Sequence, residues 1–111
     1  MKIEQQKVGT VDVFIPTGPL IEQDAEQFVN TIVKQIQTGN SRMVISLHEV
    51  PYMDSIALEG FINVVEIMEG QAVEMKLAKV TSTCREIFEL TGISNRFRFF
   101  NEIEDAVKSY L

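Results

Sequence analysis

Ser55, with Asp54 before it and His48 seven residues upstream, is where residue types capable of chemistry stand closest together in this chain. A serine, a histidine and a carboxylate form a nucleophilic triad only if the imidazole reaches the hydroxyl and the carboxylate orients the imidazole. No Gly-x-Ser-x-Gly elbow surrounds Ser55. His48 is the single histidine and closes an apolar run, a place where a surface or hydrogen-bonded histidine is ordinary. The single cysteine, Cys84, rules out an internal disulfide and cannot build a zinc site. A helix N-terminus can lower a thiol pKa, but with Arg85 as the one basic neighbour Cys84 is expected to be a half-buried small hydrophobe. The six glycines stand singly at 9, 18, 39, 60, 70 and 92, so none of the clustered-glycine loops that cradle phosphate is present. These observations predict no catalytic residue, no cofactor and no metal.

What Asp54 and Ser55 do have is position. The stretch Pro51–Gly60 lies between the apolar run Met43–Leu47 and the clearest amphipathic helix of the chain. Strand-to-helix junctions at the carboxyl ends of parallel strands are where open α/β sheets place ligands and partners. They are also where a helix needs a capping oxygen, and Asp54 or Ser55 supplies one. A serine there is presented outward at the positive end of the helix dipole. A phosphate on it would add about −1.5 to −2 charges. The helix terminus accepts that charge, whereas an acidic or close-packed partner surface does not, so the junction can switch binding without unfolding the domain.

The elements around the junction follow from periodicity. Residues 2–15 split at Gly9 into two short strands, with Val11, Val13 and Ile15 alternating against Asp12 and Phe14, which predicts a β-hairpin. Pro16 and Pro19 are expected to end the second strand, since neither can donate to a ladder. From Glu22, the residues Ala25, Phe28, Val29, Ile32, Val33 and Ile36 recur at helical spacing, with Glu22 and Asp24 in the first turn and Gly39-Asn40 as the stop. Met43, Val44, Ile45 and Leu47 predict a central strand buried on both faces. Leu58, Phe61, Ile62, Val65 and Met68 form one helical face closed by Gly70. Val73, Met75 and Leu77 alternate with Glu74, Lys76 and Ala78 as another strand. Thr81 or Ser82 caps a third helix with Ile87, Phe88 and Leu90 as its apolar positions, ended by Thr91-Gly92. Phe97, Phe99 and Phe100 make a last short strand flanked by Arg96 and Arg98 on its solvated side. A C-terminal helix follows over 102–111, with Ile103, Ala106, Val107 and Tyr110 on one face. The order ββαβαβαβα predicts an α/β fold: a single-layer mixed, largely parallel β-sheet with an N-terminal hairpin and crossover helices, one domain over residues 1–111.

Composition narrows the partners. The chain has 111 residues, 45% of them hydrophobic and 23% charged, as in an ordinary globular domain. Ten Lys and Arg against sixteen Asp and Glu give a net charge of −6. Nucleic acid and anionic membranes need a basic footprint, so a basic or mixed protein surface is the expected partner. The first eight residues lack the apolar core of a signal peptide, and no run nears the ~20 apolar residues of a membrane span. A cytoplasmic location is expected.

The strand Met43–Leu47 followed by Val50 through Leu58 resembles the apolar strand and the aromatic-x-Asp-Ser-(Ser/Ala)-(Gly/Ala)-Leu signature of the STAS domain, as in bacterial anti-sigma-factor antagonists. Thr17–Leu20 with Ala25 and Glu26 resembles the family's Gly-x-Leu-Asp segment and the helix after it. Val80–Thr83 with Ile87–Ile93 resembles its closing helix. The resemblance implies a regulator without catalysis of its own. In the family, the serine after the Asp is phosphorylated by a serine kinase that doubles as the anti-sigma factor, and a serine phosphatase reverses the modification. The unphosphorylated form binds that kinase. Carried over by position, Ser55 is the phosphoacceptor and Asp54 its neighbour, with Ile56, Ala57, Glu59 and Ile21 completing the partner-binding surface. Four of these depart from the family pattern: Ile56 and Ala57 follow the serine, Glu59 replaces a small residue, and Ile21 replaces the Asp after Gly-x-Leu. The resulting surface is apolar on one side of Ser55 and acidic on the other. That departure keeps a second reading open, a phosphorylation-independent STAS interaction module in a larger signalling or transport assembly.

Overall fold

Alternation and a turn signal coincide at the N-terminus, and the hairpin forms there. A computed structural model describes residues 1–39, 41–71 and 74–111. In it β1 (Lys2–Val8) and β2 (Val11–Thr17) pair antiparallel with Val8 opposite Val11. Gly9 and Thr10 make the turn between them, with Gly9 at φ +64°, the left-handed geometry that two-residue hairpin turns require. Pro16 does not end β2; it lies inside the strand, opposite Ile3. Alternation counted from the turn puts this pair in a non-hydrogen-bonded position. The missing N–H would therefore point toward the other neighbour of β2, whose pairing spans only Asp12–Phe14. No ladder bond is lost.

The chain continues as α1 (Glu22–Gln37), β3 (Met43–Ser46), α2 (Ser55–Gly70), β4 (Lys76–Ala78), α3 (Ser82–Leu90), a 3₁₀ turn (Ser94–Arg96), β5 (Arg98–Phe100) and α4 (Ile103–Lys108). The sheet order is β1-β2-β3-β4-β5, and every pairing after the hairpin is parallel. Stepping one strand at a time in one direction, with right-handed crossovers, puts successive helices on the same face. The apolar residues of α1, α2 and α3 accordingly share one core with Phe14, Met43, Ile45 and Leu77. Phe61 is its hub, with Phe28 and Phe88 at ring-centroid distances of 5.9 and 5.4 Å in tilted and edge-on arrangements.

The opposite face of the sheet would be open without α4. Val11, Val13, Ile15, Val44 and Ala78 are covered there by Ala106, with Ile103, Val107 and Tyr110 around it. This cover is why β3 needs apolar residues on both sides. Tyr110, just past the end of α4, clasps the strand: its hydroxyl donates to the Met43 carbonyl at 2.6 Å and accepts from the Met43 N–H at 3.1 Å. Lys76 joins the clasp instead of facing solvent. It is 5% exposed, its ammonium lies 3.6 Å from the Tyr110 ring centre, and it donates to Ser109 Oγ at 2.9 Å. Desolvation holds its pKa below the usual lysine value.

Other expectations shift in detail. Met75 is buried but precedes β4, and Val73 and Asn40 lie outside the described residues. Phe97 precedes β5 rather than opening it. On α3 the buried residues are Cys84 and Phe88, while Leu90 is 79% exposed. Two residues advance a helix by about 200°, which carries Leu90 to the side opposite Phe88. On α2, Ala57 and Val64 join Phe61, Val65 and Met68 in the core, and Leu58 and Ile62 are half-buried at its edge.

Gly60 sets the spacing of α1 and α2. A Cβ placed on it would overlap Val29 Cγ2 of α1. Glycine inside a helix costs about 1 kcal/mol relative to alanine, so α2 gives up intrinsic stability to let α1 come close. Gly60→Ala is expected to destabilise the protein by roughly 1–3 kcal/mol despite its better helix propensity. Val29→Ala in the same chain should recover part of that loss. Urea unfolding of the two single variants and the double variant measures the coupling; additive effects would show that the two positions do not meet.

Candidate functional site

Beyond β3 the chain turns through 47–54, burying Leu47, Val50 and Met53. A second connector, 18–21, runs beside it. Gly18 N–H donates to the Glu49 carbonyl at 2.9 Å, Leu20 N–H to Tyr52 at 3.1 Å, and Asp54 N–H to Leu20 at 3.1 Å. Leu20 and Met53 form a parallel bridge, and their side chains drop into the core. Gly18 sits at φ +104°, a conformation open to glycine, as the connector leaves β2. These bonds bring the first turns of α1 and α2 together.

Asp54 occupies the meeting point. It is the N-cap of α2, where Oδ1 accepts from Ala57 N–H at 3.0 Å. Its other oxygen, Oδ2, accepts at 2.8 Å from the N–H of Glu22, the first residue of α1. One carboxylate therefore caps two helices. Ile21, the N-cap residue of α1, makes no side-chain capping bond, so α1 takes its acceptor from the neighbouring junction. Glu22 has φ +51°, a left-handed conformation that costs a non-glycine residue of order 1–3 kcal/mol and persists only where surroundings hold it. The bond to Asp54 is such a hold. The N–H groups of Glu22 and then Ala57 keep the Asp54 carboxyl below the usual aspartate pKa.

Ser55 is the first residue of α2 and is exposed. Among the described residues its hydroxyl has no hydrogen-bond partner, and nothing joins it to His48. The imidazole Nδ1 of His48 is instead 2.7 Å from Ser46 Oγ, and its Nε2 lies 3.8 Å from Glu49. Ser46 is fully buried and Ser55 lacks a base, so neither serine sits in a nucleophile arrangement. Cys84 is fully rather than half buried, with its thiol 3.5 Å from the Val50 carbonyl, and burial pushes its pKa up. Thr81, the cap of α3, donates to the same carbonyl at 2.9 Å, so three helix N-termini converge on this junction.

Of the residues singled out from sequence, Asp54, Ser55, Ile56, Glu59 and Ile21 all lie at this end of the molecule. Ile56 is 38% exposed, Glu59 is exposed and Ile21 is half-buried. Ala57 is a correction: at 1% exposure it belongs to the core, and what it offers the junction is its N–H. Two residues of this end were not among those assigned to the surface from sequence. Tyr52, the aromatic of the motif, is 47% exposed beside the buried Met53. Glu22 carried no signal, because its role lies in its backbone.

Comparison with known proteins agrees with this fold. The family profile described as the STAS domain matches residues 2–106. A Bordetella bronchiseptica protein named as an anti-sigma factor antagonist, BtrV, is 24% identical over 110 residues, covering 99% of this chain and 95% of its own. The fold matches the crystal structure of a Thermotoga maritima protein described as an anti-sigma factor antagonist, with TM-score 0.88, 17% identity, and 96% and 92% of the two chains covered. It also matches the Bacillus cell-fate determinant SpoIIAA in its phosphorylated form, with TM-score 0.78, 19% identity, and 99% and 100% covered. Among the described residues no helix is long and apolar enough to cross a membrane.

The double cap has a pH signature. Because the folded-state pKa of Asp54 lies below its ordinary value of 3.8, the carboxylate stabilises the fold above that pH. The contribution fades as pH falls through the folded-state pKa. Asp54→Asn keeps one acceptor but turns an amide N–H₂ toward the other N–H, so it should melt several degrees lower than wild type at pH 7. The gap should narrow below about pH 4. Thermal melts of both proteins from pH 7 to 3 test this; a gap that stays constant with pH would remove the ionised carboxylate from the account.

Proposed function

We infer, because this chain belongs to the STAS domain family, that it is an anti-sigma-factor antagonist whose Ser55 end binds a serine-kinase anti-sigma factor. Phosphorylation of Ser55 by that kinase is the off state, and a serine phosphatase resets it. The observation that carries this reading is the Ser55 hydroxyl, exposed, unpartnered among the described residues and held at the first position of α2 by the capping residue before it. In the modifying step Ser55 Oγ attacks the γ-phosphorus of ATP, the bond to ADP breaks, and the hydroxyl proton leaves to the kinase's base. This chain supplies an acceptor and a docking surface and no catalytic group. The docking surface is formed by Asp54, Ser55, Ile56, Glu59 and Ile21, and its work is cytoplasmic.

A second reading, binding without phosphorylation, is favoured by one feature. Ile56 sets a partly exposed branched side chain beside Ser55 where the family carries a small residue, which narrows a kinase's access to the hydroxyl.

Incubation with the purified kinase-type anti-sigma factor and ATP should add one phosphate to the wild-type chain and none to Ser55→Ala, read by intact mass. Unmodified protein and Ser55→Ala should bind that kinase equally, and Ser55→Asp should bind it at least about tenfold more weakly, a loss of about 1.4 kcal/mol. Phosphate incorporated into Ser55→Ala would overturn the site. Equal binding by wild type, Ser55→Ala and Ser55→Asp, with no phosphate added, would establish the second reading.

A further inference from the structure

We propose that Tyr52 and Ile56 are the two apolar anchors of the partner contact, and that they seat on a basic protein surface facing Glu22, Glu49 and Glu59. This rests on the reading of the Ser55 end as the partner-binding end and names the chemistry of that partner. Among the described residues the exposed large hydrophobics are Val8, Tyr52, Ile56, Leu90 and Leu111. Val8 borders the hairpin turn, Leu90 ends α3 and Leu111 ends the chain, each without another beside it. Tyr52 and Ile56 flank the Asp54-Ser55 pair in sequence, at the connector and first turn of α2 that form this end of the molecule. Tyrosine is among the residues that most often carry binding energy at the centre of an interface.

Charge identifies the seat. Lys7, Lys79, Arg85, Arg96, Arg98 and Lys108 each already face an acidic side chain, so the cations of the chain are largely matched where they stand. Glu22 and Glu59 have no cation partner among the described residues. Glu49 has no Lys or Arg ion pair among the described residues; His48 lies 3.8 Å away and Thr17 Oγ1 donates to it at 3.3 Å. Part of the net charge of −6 therefore rests on these three carboxylates of the Ser55 end. A surface rich in Lys and Arg complements that rim, while an acidic protein, nucleic acid or anionic membrane is repelled by it. A phosphate on Ser55 would lie at the apolar centre, away from the basic rim. Burying a dianion there costs more in desolvation than distant cations return, so a basic partner is still released.

Binding kinetics with the purified, unphosphorylated-state-specific kinase-type anti-sigma factor separate these roles. Tyr52→Ala and Ile56→Ala should each raise the dissociation constant about tenfold or more, through faster dissociation. Glu59→Lys should slow association several-fold and flatten its dependence on salt. Both anchors are only partly covered, so the variants should remain folded at the assay temperature, which thermal melts check. Wild-type affinity in both anchor variants would overturn the anchors. Wild-type association that is unchanged between about 50 and 500 mM salt, where screening lengths fall several-fold, would overturn the basic seat. Wild-type protein that fails to bind the kinase at any salt would instead refute the antagonist reading itself.

Discussion

The carboxylate of Asp54 is the constraint on which this molecule's geometry turns. Each helix begins with N–H groups that no residue of its own can satisfy, and the positive ends of two aligned helix dipoles repel when brought side by side. Asp54 answers both problems with one group, giving one oxygen to Ala57 and the other to Glu22. Ile21 cannot serve α1, having no acceptor in its side chain. The start of α1 is therefore held by a residue 32 positions away in sequence, and the left-handed Glu22 is the local strain that this borrowed cap sustains. Further along the same two helices, the absent side chain of Gly60 lets Val29 approach. Contact in the middle and a shared cap at the end fix α1 and α2 as one unit.

That unit holds the Ser55 end in place although it is built from connectors. Loops at the carboxyl ends of strands are ordinarily the mobile part of an α/β fold. Here the connectors 18–21 and 47–54 exchange backbone bonds and sink Leu20, Leu47, Val50 and Met53 into the core. Thr81 ties the start of α3 to the Val50 carbonyl. The polar residues that face outward, Ser55 and Glu59, thus stand on a base whose own backbone groups are occupied. The clasp of α4 by Tyr110 and Lys76 is on the other face of the sheet and stabilises the strands without entering this arrangement.

How legible all this was in the sequence depended on range. β3 and α2 could be read directly, because their periods are undisturbed and their boundaries carry turn and cap signals. Asp54 could be read as a cap for α2, three residues from its acceptor bond. It could not be read as a cap for α1, since nothing local links positions 22 and 54. Ala57 was misassigned for the opposite reason: alignment to a motif placed it at the surface, while the helical spacing Ala57, Phe61, Val64, Met68 places it inside. A small side chain gives that periodicity little weight. Lys76 looked like the outward member of an alternating strand until α4 covered that face, and Pro16 looked like a breaker until the register showed that its nitrogen faces no partner. Each miss is a case of tertiary context deciding what a local rule left open.

The first position of α2 is a place where added negative charge is inexpensive for the fold and costly for an interface. On the folding side, a phosphate at Ser55 would meet the positive end of a helix dipole and the open N–H groups of its first turn. The opposing term is the neighbouring carboxylate, but Asp54 directs its oxygens toward Ala57 and Glu22, and solvent screens the remainder at an exposed site. On the binding side, with Tyr52 and Ile56 as the proposed anchors, the same charge would have to be stripped of water, and the first-turn N–H groups return only part of that cost. The sign of the effect thus differs between the free protein and the complex. A regulator that must remain folded in both states requires that difference, and a serine buried in a strand such as Ser46 cannot provide it, because a phosphate there would disrupt the core before it reached any partner.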